Sequence, residues 1–132
     1  MRYMLDTDIC IYIARKKPES VIGKLQKLSA EDACLSVITY AELLYGAEKS
    51  KHRTENLETL NRLRTLISVE PFEESACKEY GIIRAYFEKK GQIIGGNDLF
   101  IAAHAKSLNL TLVTNNVLEF RRVPGLAVEL WK

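Results

Sequence analysis

The chain has 132 residues, of which 47% are apolar and 27% charged, as is usual for one soluble globular domain. Its formal net charge of +2 permits a polyanionic substrate but does not by itself identify a nucleic-acid-binding protein. No apolar run reaches membrane-spanning length, and an acid at position 6 comes too early for a signal peptide. We therefore expect a cytoplasmic protein with no membrane partner.

The first part of the chain predicts a strand followed by two helices. Tyr3–Leu5 is an apolar run that stops at Asp6, after which Thr7 or Asp8 can cap a helix that extends through Ile13. The next proline opens a second helix, in which apolar residues recur at helical spacing.

The middle of the chain predicts two strands and two helices. Residues 33–37 form a buried strand, and the helix after it is expected to carry Ala41, Leu44 and Tyr45 on one face. An amphipathic helix then leads into a short strand at residues 67–69.

The last part of the chain predicts two helices and two strands. Steps of four, three and four residues between apolar positions indicate a long helix, marked by Ala76, Tyr80, Ile83 and Phe87. A helix from about residue 98 to 108 follows a glycine-rich loop. The remaining strands are expected at residues 110–113 and 126–130.

Short apolar strands that alternate with helices indicate an α/β fold. We expect one domain over residues 1–132, built as a three-layer α/β/α sandwich with a mostly parallel central sheet. In such sheets, ligands bind beyond the carboxyl ends of the strands. Four polar side chains from distant parts of the sequence are expected to meet there: Asp6, Glu42, Asp98 and Asn116.

Asp98 is the most informative of these four positions. Ile101, Ala102 and Ala105 follow it at helical spacing, so its carboxylate should face the sheet. Because a lone buried carboxylate is strongly unfavourable, it needs a partner. The alternative for this residue alone is an acid in the first turn of a helix, stabilised by the helix dipole.

The other three positions each have an ordinary structural explanation. Asp6 could cap the first helix, but Thr7 and Asp8 are available for that role, which leaves Asp6 spare. Glu42 could be a solvent-exposed residue near the start of its helix, and Asn116 could be a turn residue. No single position identifies a site, but the four residues together, in this order along the chain, indicate one.

Three converging carboxylates would repel one another without a cation. Oxygen-only ligands suit Mg²⁺, with Mn²⁺ as the alternative, and such ions support phosphodiester hydrolysis in one-metal or two-metal sites. The sequence shows no Ser/His/Asp or Cys/His nucleophile set. His52 lies in a polar stretch that suggests a solvated loop, and His104 is expected to be structural.

The three cysteines show no metal-binding or disulfide pattern. Cys10, Cys34 and Cys77 lie in apolar or helical surroundings without Cys-x-x-Cys spacing. We expect small buried thiols in a reducing compartment.

Four segments together resemble a PIN domain, specifically the VapC-type toxins of bacterial toxin–antitoxin pairs. They are Met4–Thr7, Tyr40–Gly46, Ile94–Ala105 and Leu112–Phe120, and the resemblance covers essentially the whole chain. It implies an endoribonuclease that depends on Mg²⁺ or Mn²⁺.

The resemblance also assigns residue roles. Asp6, Glu42 and Asp98 take the acidic metal-binding positions, and Asn116 takes a fourth position where many relatives carry Asp. Thr7 and Thr114 match hydroxyl residues that orient carboxylates or waters. Asp8 stands where an asparagine is common, and it could add a ligand, share a proton or cap the helix, with capping favoured.

The partners implied by the resemblance are a second copy of the chain, RNA and an antitoxin. A cognate VapB-type antitoxin would silence the enzyme by inserting a segment near the active site, and promoter DNA would be bound only through that antitoxin. Transfer RNA, including the initiator species at its anticodon stem-loop, is the expected substrate. Basic residues that could contact RNA lie at 15–17, 49–53, 84 and 89–90, although a solvated face explains most of them.

Three other functions fit parts of the pattern. A receiver-type signalling domain would need a phosphoacceptor Asp after a middle strand and a late lysine, which the sequence lacks. A haloacid-dehalogenase-like phosphatase would use Asp6 and Asp8 but needs a later acidic pair. A non-catalytic PIN-like binding module is the third alternative.

Overall fold

A central sheet of five strands organises the chain. We describe residues 1–131 from a computed structural model, in which every strand pair is parallel and the strand order is β3-β2-β1-β4-β5. The strands are β1 (Tyr3–Leu5), β2 (Ala33–Ser36), β3 (Ser68–Glu70), β4 (Thr111–Val113) and β5 (Val128–Glu129).

Seven α-helices and one 3-10 turn connect the strands in the described part of the chain. The helices are α1 (Thr7–Arg15), α2 (Glu19–Gln26), α3 (Val37–Glu48), α4 (Arg53–Leu66), α5 (Glu74–Lys89), α6 (Gly96–Ser107) and α7 (Val117–Phe120). The 3-10 turn is Ala30–Asp32, immediately before β2. Within residues 1–131, no helix is both long and apolar enough to span a bilayer.

The sheet separates two hydrophobic cores because successive strand residues point to opposite faces. Met4 packs in the core formed with α5 and α6, whereas Leu5 packs in the core formed with α1 to α4. Leu112 and Val113 divide between the two cores in the same way. The predicted three-layer α/β/α sandwich is therefore confirmed, and the sheet is wholly parallel.

The topology creates a crevice beside the central strand. From β1 the chain builds outward through β2 and β3, and then returns to β4 on the other side of β1. Parallel sheets bind ligands at such a reversal of strand order, beyond the carboxyl ends of the strands. Asp6 follows β1 and Thr114 follows β4, so both lie at this point.

Most predicted elements are present, with small differences at their ends. The second strand ends at Ser36 because its hydroxyl caps α3 by accepting from the Ile38 N–H at 3.1 Å. The third strand lies one residue later than predicted, and the last is only Val128–Glu129. The one-turn helix α7 and the 3-10 turn were not predicted.

The predicted face of α3 is wrong. Its core residues are Thr39, Leu43 and Ala47, whereas Ala41 is exposed and Tyr45 is 66% exposed. Apolar residues occur on more than one side of this helix, so the periodicity alone could not decide which side faces the sheet.

The cysteine prediction is correct for two of the three residues. Cys10 and Cys34 are buried and free, and burial raises the pKa of the Cys34 thiol to about 12. Cys77 is exposed, contrary to the prediction. It lies one position around α5 from the buried Ala76, so the helix turns it toward solvent.

Candidate active site at the sheet crevice

Asp6 lies at the junction of β1 and α1 and is only 6% exposed. Its Oδ1 accepts the Thr7 N–H at 2.8 Å and thereby caps α1, while its Oδ2 accepts the Thr114 hydroxyl at 2.8 Å. The prediction that Thr7 or Asp8 caps this helix and leaves Asp6 spare is therefore wrong. One carboxylate fills both roles because each oxygen faces a different element.

The environment of Asp6 opposes its ionisation. The pKa of Asp6 is raised from 3.8 to about 7, and burial is the largest cause. The Thr114 hydrogen bond acts to lower this pKa, whereas the negative charges of Asp8 and Asp98 contribute to the rise. Asp6 is thus a carboxyl group whose charge is stabilised mainly by two hydrogen bonds and is opposed by neighbouring acids.

Thr114 joins the carboxyl ends of the two central strands. It is fully buried, and its hydroxyl accepts the Asn116 N–H at 3.0 Å while donating to Asp6. The Asp6 N–H also donates to the Val113 carbonyl at 2.9 Å. The orienting role of Thr114 stays a prediction, and these are the contacts through which it would act.

Asp8 is part of the frame around the site and is not the cap of α1. Its Oδ1 accepts the Ile9 N–H at 2.7 Å, and its Oδ2 accepts the Asn115 N–H at 3.0 Å. Burial raises the pKa of this carboxyl group as well. The Asn115 side chain in turn donates to the Tyr12 hydroxyl, so α1 and the segment after β4 are fixed to each other.

Glu42 reaches the site from the middle of a helix. It is the sixth residue of α3, which corrects the expectation that it lies near the start of its helix. Its Oε1 accepts the Thr7 hydroxyl at 3.2 Å, so the residue after Asp6 links α1 to α3. The orienting role of Thr7 stays a prediction, and this is the contact through which it would act.

Asp98 lies in the first turn of α6 and is half-buried. Ile101, Ala102 and Ala105 on its helical stripe are completely buried, as the sequence predicted. Burial, followed by the charges of Glu119, Glu42 and Asp8, raises the pKa of Asp98 to about 6. These electrostatic effects place Asp98 among the other acids.

Glu119 is the site residue that sequence reasoning missed. It lies on α7, where its Oε1 accepts the Gly95 N–H at 3.3 Å, and among the charged neighbours it has the largest effect on the pKa of Asp98. Its Oε2 accepts the side-chain amide of Asn116 at 2.6 Å. Asn116 itself is exposed, and its side chain contacts the site region through Glu119. The i, i+3 spacing of Asn116 and Glu119 was the available signal.

The backbone of Gly95 lies beside Asp98. A Cβ atom at position 95 would lie 3.6 Å from the Asp98 Oδ2 atom, which is ordinary van der Waals contact, so space alone does not require glycine here. The N–H of Gly95 donates to Glu119. Residues 95–98 and α7 thus form one side of the crevice.

Within residues 1–131, neither histidine side chain forms a hydrogen bond with an acid of the crevice. His104 is buried, its Nδ1 lies 2.7 Å from the Ser36 hydroxyl, and its ring centroid lies 5.2 Å from that of Phe72. Burial lowers the pKa of His104, which favours a neutral ring. His52 is exposed between α3 and α4.

The acids surround a common edge but do not form a compact metal-binding group. Within residues 1–131, no three acidic, cysteine or histidine side chains converge in such an arrangement. The donor set nevertheless fits a hard divalent cation, since it consists of carboxylate oxygens. Burial is the largest cause of the raised pKa of Asp6 and Asp98, and repulsion from neighbouring carboxylates adds to it. A nearby positive charge would reverse that repulsion.

A groove leads away from the site between α1, α3 and α4. It encloses about 340 Å³ and opens beside Thr7 and Glu42. Ile11, Leu43 and Leu60 line it together with polar residues of α4. The acidic crevice therefore continues into a partly apolar channel.

Known proteins resemble this chain over its whole length. The PIN domain family matches residues 3–126. Ribonuclease VapC2 of Rickettsia felis is 43% identical over 132 residues, covering 99% of this chain and 98% of that protein. The tRNA(fMet)-specific endonuclease VapC of Shigella flexneri is 40% identical over 131 residues, with the same coverage.

Solved structures agree with the sequence relatives. VapBC2 from Rickettsia felis, bound to a DNA fragment from its promoter, contains a chain with a TM-score of 0.93 and 42% identity, with 100% of both chains covered. DNA-bound VapBC from Salmonella typhimurium gives a TM-score of 0.94 and 39% identity, covering 100% of this chain and 99% of that one. These likenesses do not support the phosphatase or receiver alternatives.

Proposed function

The chain belongs to the PIN-domain family, among its VapC-type ribonucleases, and on that premise we propose that it is the toxin of a toxin–antitoxin pair that cuts RNA with the carboxylates at its sheet crevice. The observation that carries this proposal is the position of Asp6. It is a buried carboxyl group at the reversal of strand order, with a pKa of about 7, held by Thr114 and surrounded by acids from other elements. Such perturbed groups are typical of functional sites.

Nucleases of this family generally depend on a divalent metal ion. We infer that Mg²⁺, or alternatively Mn²⁺, is held by Asp6, Glu42 and Asp98, with Glu119 as a further acid beside Asp98. When bound, such an ion lowers the pKa of a water molecule and offsets negative charge on the phosphoryl group during hydrolysis.

The chain's own contacts would keep these carboxylates in place. Thr114 and the Thr7 N–H hold Asp6, the Thr7 hydroxyl holds Glu42, and the Gly95 N–H holds Glu119. Hydrogen bonds of this kind fix ligand orientation before substrate arrives. Partial burial also excludes water from the carboxylates, which strengthens every charge interaction in the crevice.

Transfer RNA is the substrate we propose. Relatives from Shigella flexneri and Salmonella typhimurium, at 40% and 39% identity, are named tRNA(fMet)-specific endonucleases. The initiator species, cut at its anticodon stem-loop, is accordingly the first candidate for this chain. Cleavage there would stop translation in the cytoplasm.

The partners proposed for this chain are a second copy of itself and a VapB-type antitoxin. The structural relatives from Rickettsia felis and Salmonella typhimurium are VapBC complexes with DNA. The groove between α1, α3 and α4 offers an antitoxin segment a partly apolar path that ends at Glu42. Promoter DNA would then be bound only through the antitoxin.

The function can be tested with purified protein freed of any antitoxin. Incubation with total transfer RNA and Mg²⁺ should give a discrete cut in the initiator species, while EDTA should stop the reaction and added Mn²⁺ should restore it. Discrete cleavage that persists in EDTA would contradict the metal proposal. Release of inorganic phosphate from phosphomonoesters, without RNA cleavage, would instead favour the phosphatase.

Asn116→Ala is expected to reduce RNA cleavage by about 10-fold at most, because the exposed amide only orients Glu119 through one hydrogen bond. The rate should be measured at saturating Mg²⁺. Asn61→Ala, at an exposed position of α4, serves as the matched control and should retain wild-type activity. A loss as large as that of an Asp6 variant would mean that Asn116 itself contacts the metal or the substrate.

A further inference from the structure

Two large apolar side chains are exposed beside the acidic crevice. Ile93, in the loop after α5, is 89% exposed, and Leu118, in α7, is 83% exposed. Arg122 joins their segments, since its Nη2 atom donates to the Ile93 carbonyl at 3.2 Å and its Nε atom donates to the Glu119 carbonyl at 3.5 Å. Leu118 directly precedes Glu119, and Glu119 accepts the N–H of Gly95, two residues after Ile93, so both apolar residues lie on segments that border the crevice.

Two cations lie at the same border. The Lys90 Nζ atom is 4.7 Å from the Tyr86 ring centroid, and the Arg122 guanidinium is 5.4 Å from the centroid of Phe87. The ring centroids of Tyr86 and Phe87 lie 5.3 Å apart, so the two cations contact neighbouring aromatic rings. Within residues 1–131, neither cation forms an ion pair with a carboxylate.

This arrangement complements an RNA strand. The crevice gathers carboxylates that repel a polyanion, and the net charge of +2 gives little general attraction. Local cations beside the crevice would offset that repulsion at the flanking phosphates. Exposed apolar side chains next to them suit the flat face of a base, which is accessible only when the nucleotide is unpaired.

We propose that Lys90, Ile93, Leu118 and Arg122 form a rim that holds the RNA strand next to the cleaved bond. The cations contact the flanking phosphates, and the apolar pair contacts one unstacked base. This inference rests on the proposed ribonuclease function and names the residues that hold the RNA beside the cleaved bond. A protein partner on the same surface is the competing occupant.

The test uses full-length protein that carries Asp98→Asn, so that labelled RNA binds in the presence of Mg²⁺ while cleavage is suppressed. The rim variants are Lys90→Gln, Ile93→Ser and Leu118→Ser. Their matched controls are Lys27→Gln and Leu66→Ser. Both residues lie where the chain leads into a strand, β2 or β3, and therefore toward the amino ends of the strands, away from the crevice at their carboxyl ends. Leu66 is 64% exposed, so its replacement matches the surface change made at the rim.

The two kinds of rim variant should behave differently when binding to an RNA hairpin with an unpaired loop is measured at several salt concentrations. Lys90→Gln should reduce the slope of log affinity against log salt by roughly 0.7, the value for one phosphate contact on a single strand. Ile93→Ser and Leu118→Ser should raise the Kd by roughly 3- to 10-fold without changing the slope. Binding to a fully paired RNA should be insensitive to the two serine variants.

Other outcomes would overturn the proposal. If RNA affinity and its salt slope match those of the controls, the rim does not hold RNA. If dimer formation or antitoxin binding weakens instead, a protein occupies this surface. RNA cleavage by the protein with Asp98 intact is measured in parallel, so failure of the ribonuclease function is distinguished from failure of the rim assignment.

Discussion

Asp6→Asn is expected to reduce RNA cleavage by roughly 100-fold or more, because it removes a negative charge from the centre of the proposed metal site without changing the size of the side chain. The amide oxygen can still accept the Thr7 N–H, and the amide nitrogen can donate to Thr114. The fold around the crevice should therefore be retained. The lost property is the anionic ligand.

This expectation is checked by single-turnover cleavage of a transfer RNA substrate at saturating Mg²⁺. Glu58→Gln makes the same chemical change at an exposed position of α4 and should leave the rate unaltered. Asp98→Asn should resemble Asp6→Asn, since both residues occupy acidic positions of the crevice. An Asp6→Asn protein that keeps more than about a tenth of the wild-type rate would remove Asp6 from the site.

The sequence was sufficient for the architecture because its signals are local. Short apolar strands alternate with helices in which apolar residues recur at a clear helical period. Asp6 and Asp98 lie next to the ends of elements that a parallel sheet brings to one edge. The inward direction of Asp98 also followed from the spacing between it and the apolar residues of its own helix. These predictions required no knowledge of how distant segments pack.

The predictions that failed depend on packing. The face of α3 was wrong because an apolar helix has no unique buried side until it meets the sheet, and Tyr45 proved to be exposed. Asp6 was considered spare because sequence reasoning gave each carboxylate one role, whereas its two oxygens serve two elements. Glu119 was missed because α7 has only one turn, too short for any periodic pattern.

The contact of Asn116 bears on how charge is distributed in the site. Its side chain is a neutral amide, but it donates to the carboxylate of Glu119, whose charge raises the pKa of Asp98. Glu119 therefore contributes negative charge from α7, about one turn after the neutral Asn116. The hydrogen bond between the two side chains could be recognised only from the structure.

The metal-free protein is expected to lose stability as the pH rises from about 4 to about 7, because the pKa of Asp6 is 3.8 when exposed and about 7 in the fold. A raised pKa favours the folded state below the unfolded value, and this contribution is lost as the pH rises through the folded value. The difference corresponds to about 4 kcal/mol at most, at about 1.36 kcal/mol per pKa unit. Asp98 acts in the same direction but contributes less, since it is half-exposed.

Urea unfolding of wild type and Asp6→Asn in EDTA isolates this effect. His104 acts oppositely, because its lowered pKa makes the fold less stable as the pH falls below about 6.5, but it is common to both proteins and cancels in their difference. Asp6→Asn should thus gain stability over wild type with rising pH, and saturating Mg²⁺ should narrow that gap. A gap that is constant from about pH 4 to about pH 8 would contradict the raised pKa. If the gap instead widens with rising pH, the same buried carboxylate both destabilises the metal-free fold and supplies the charge that a cation requires.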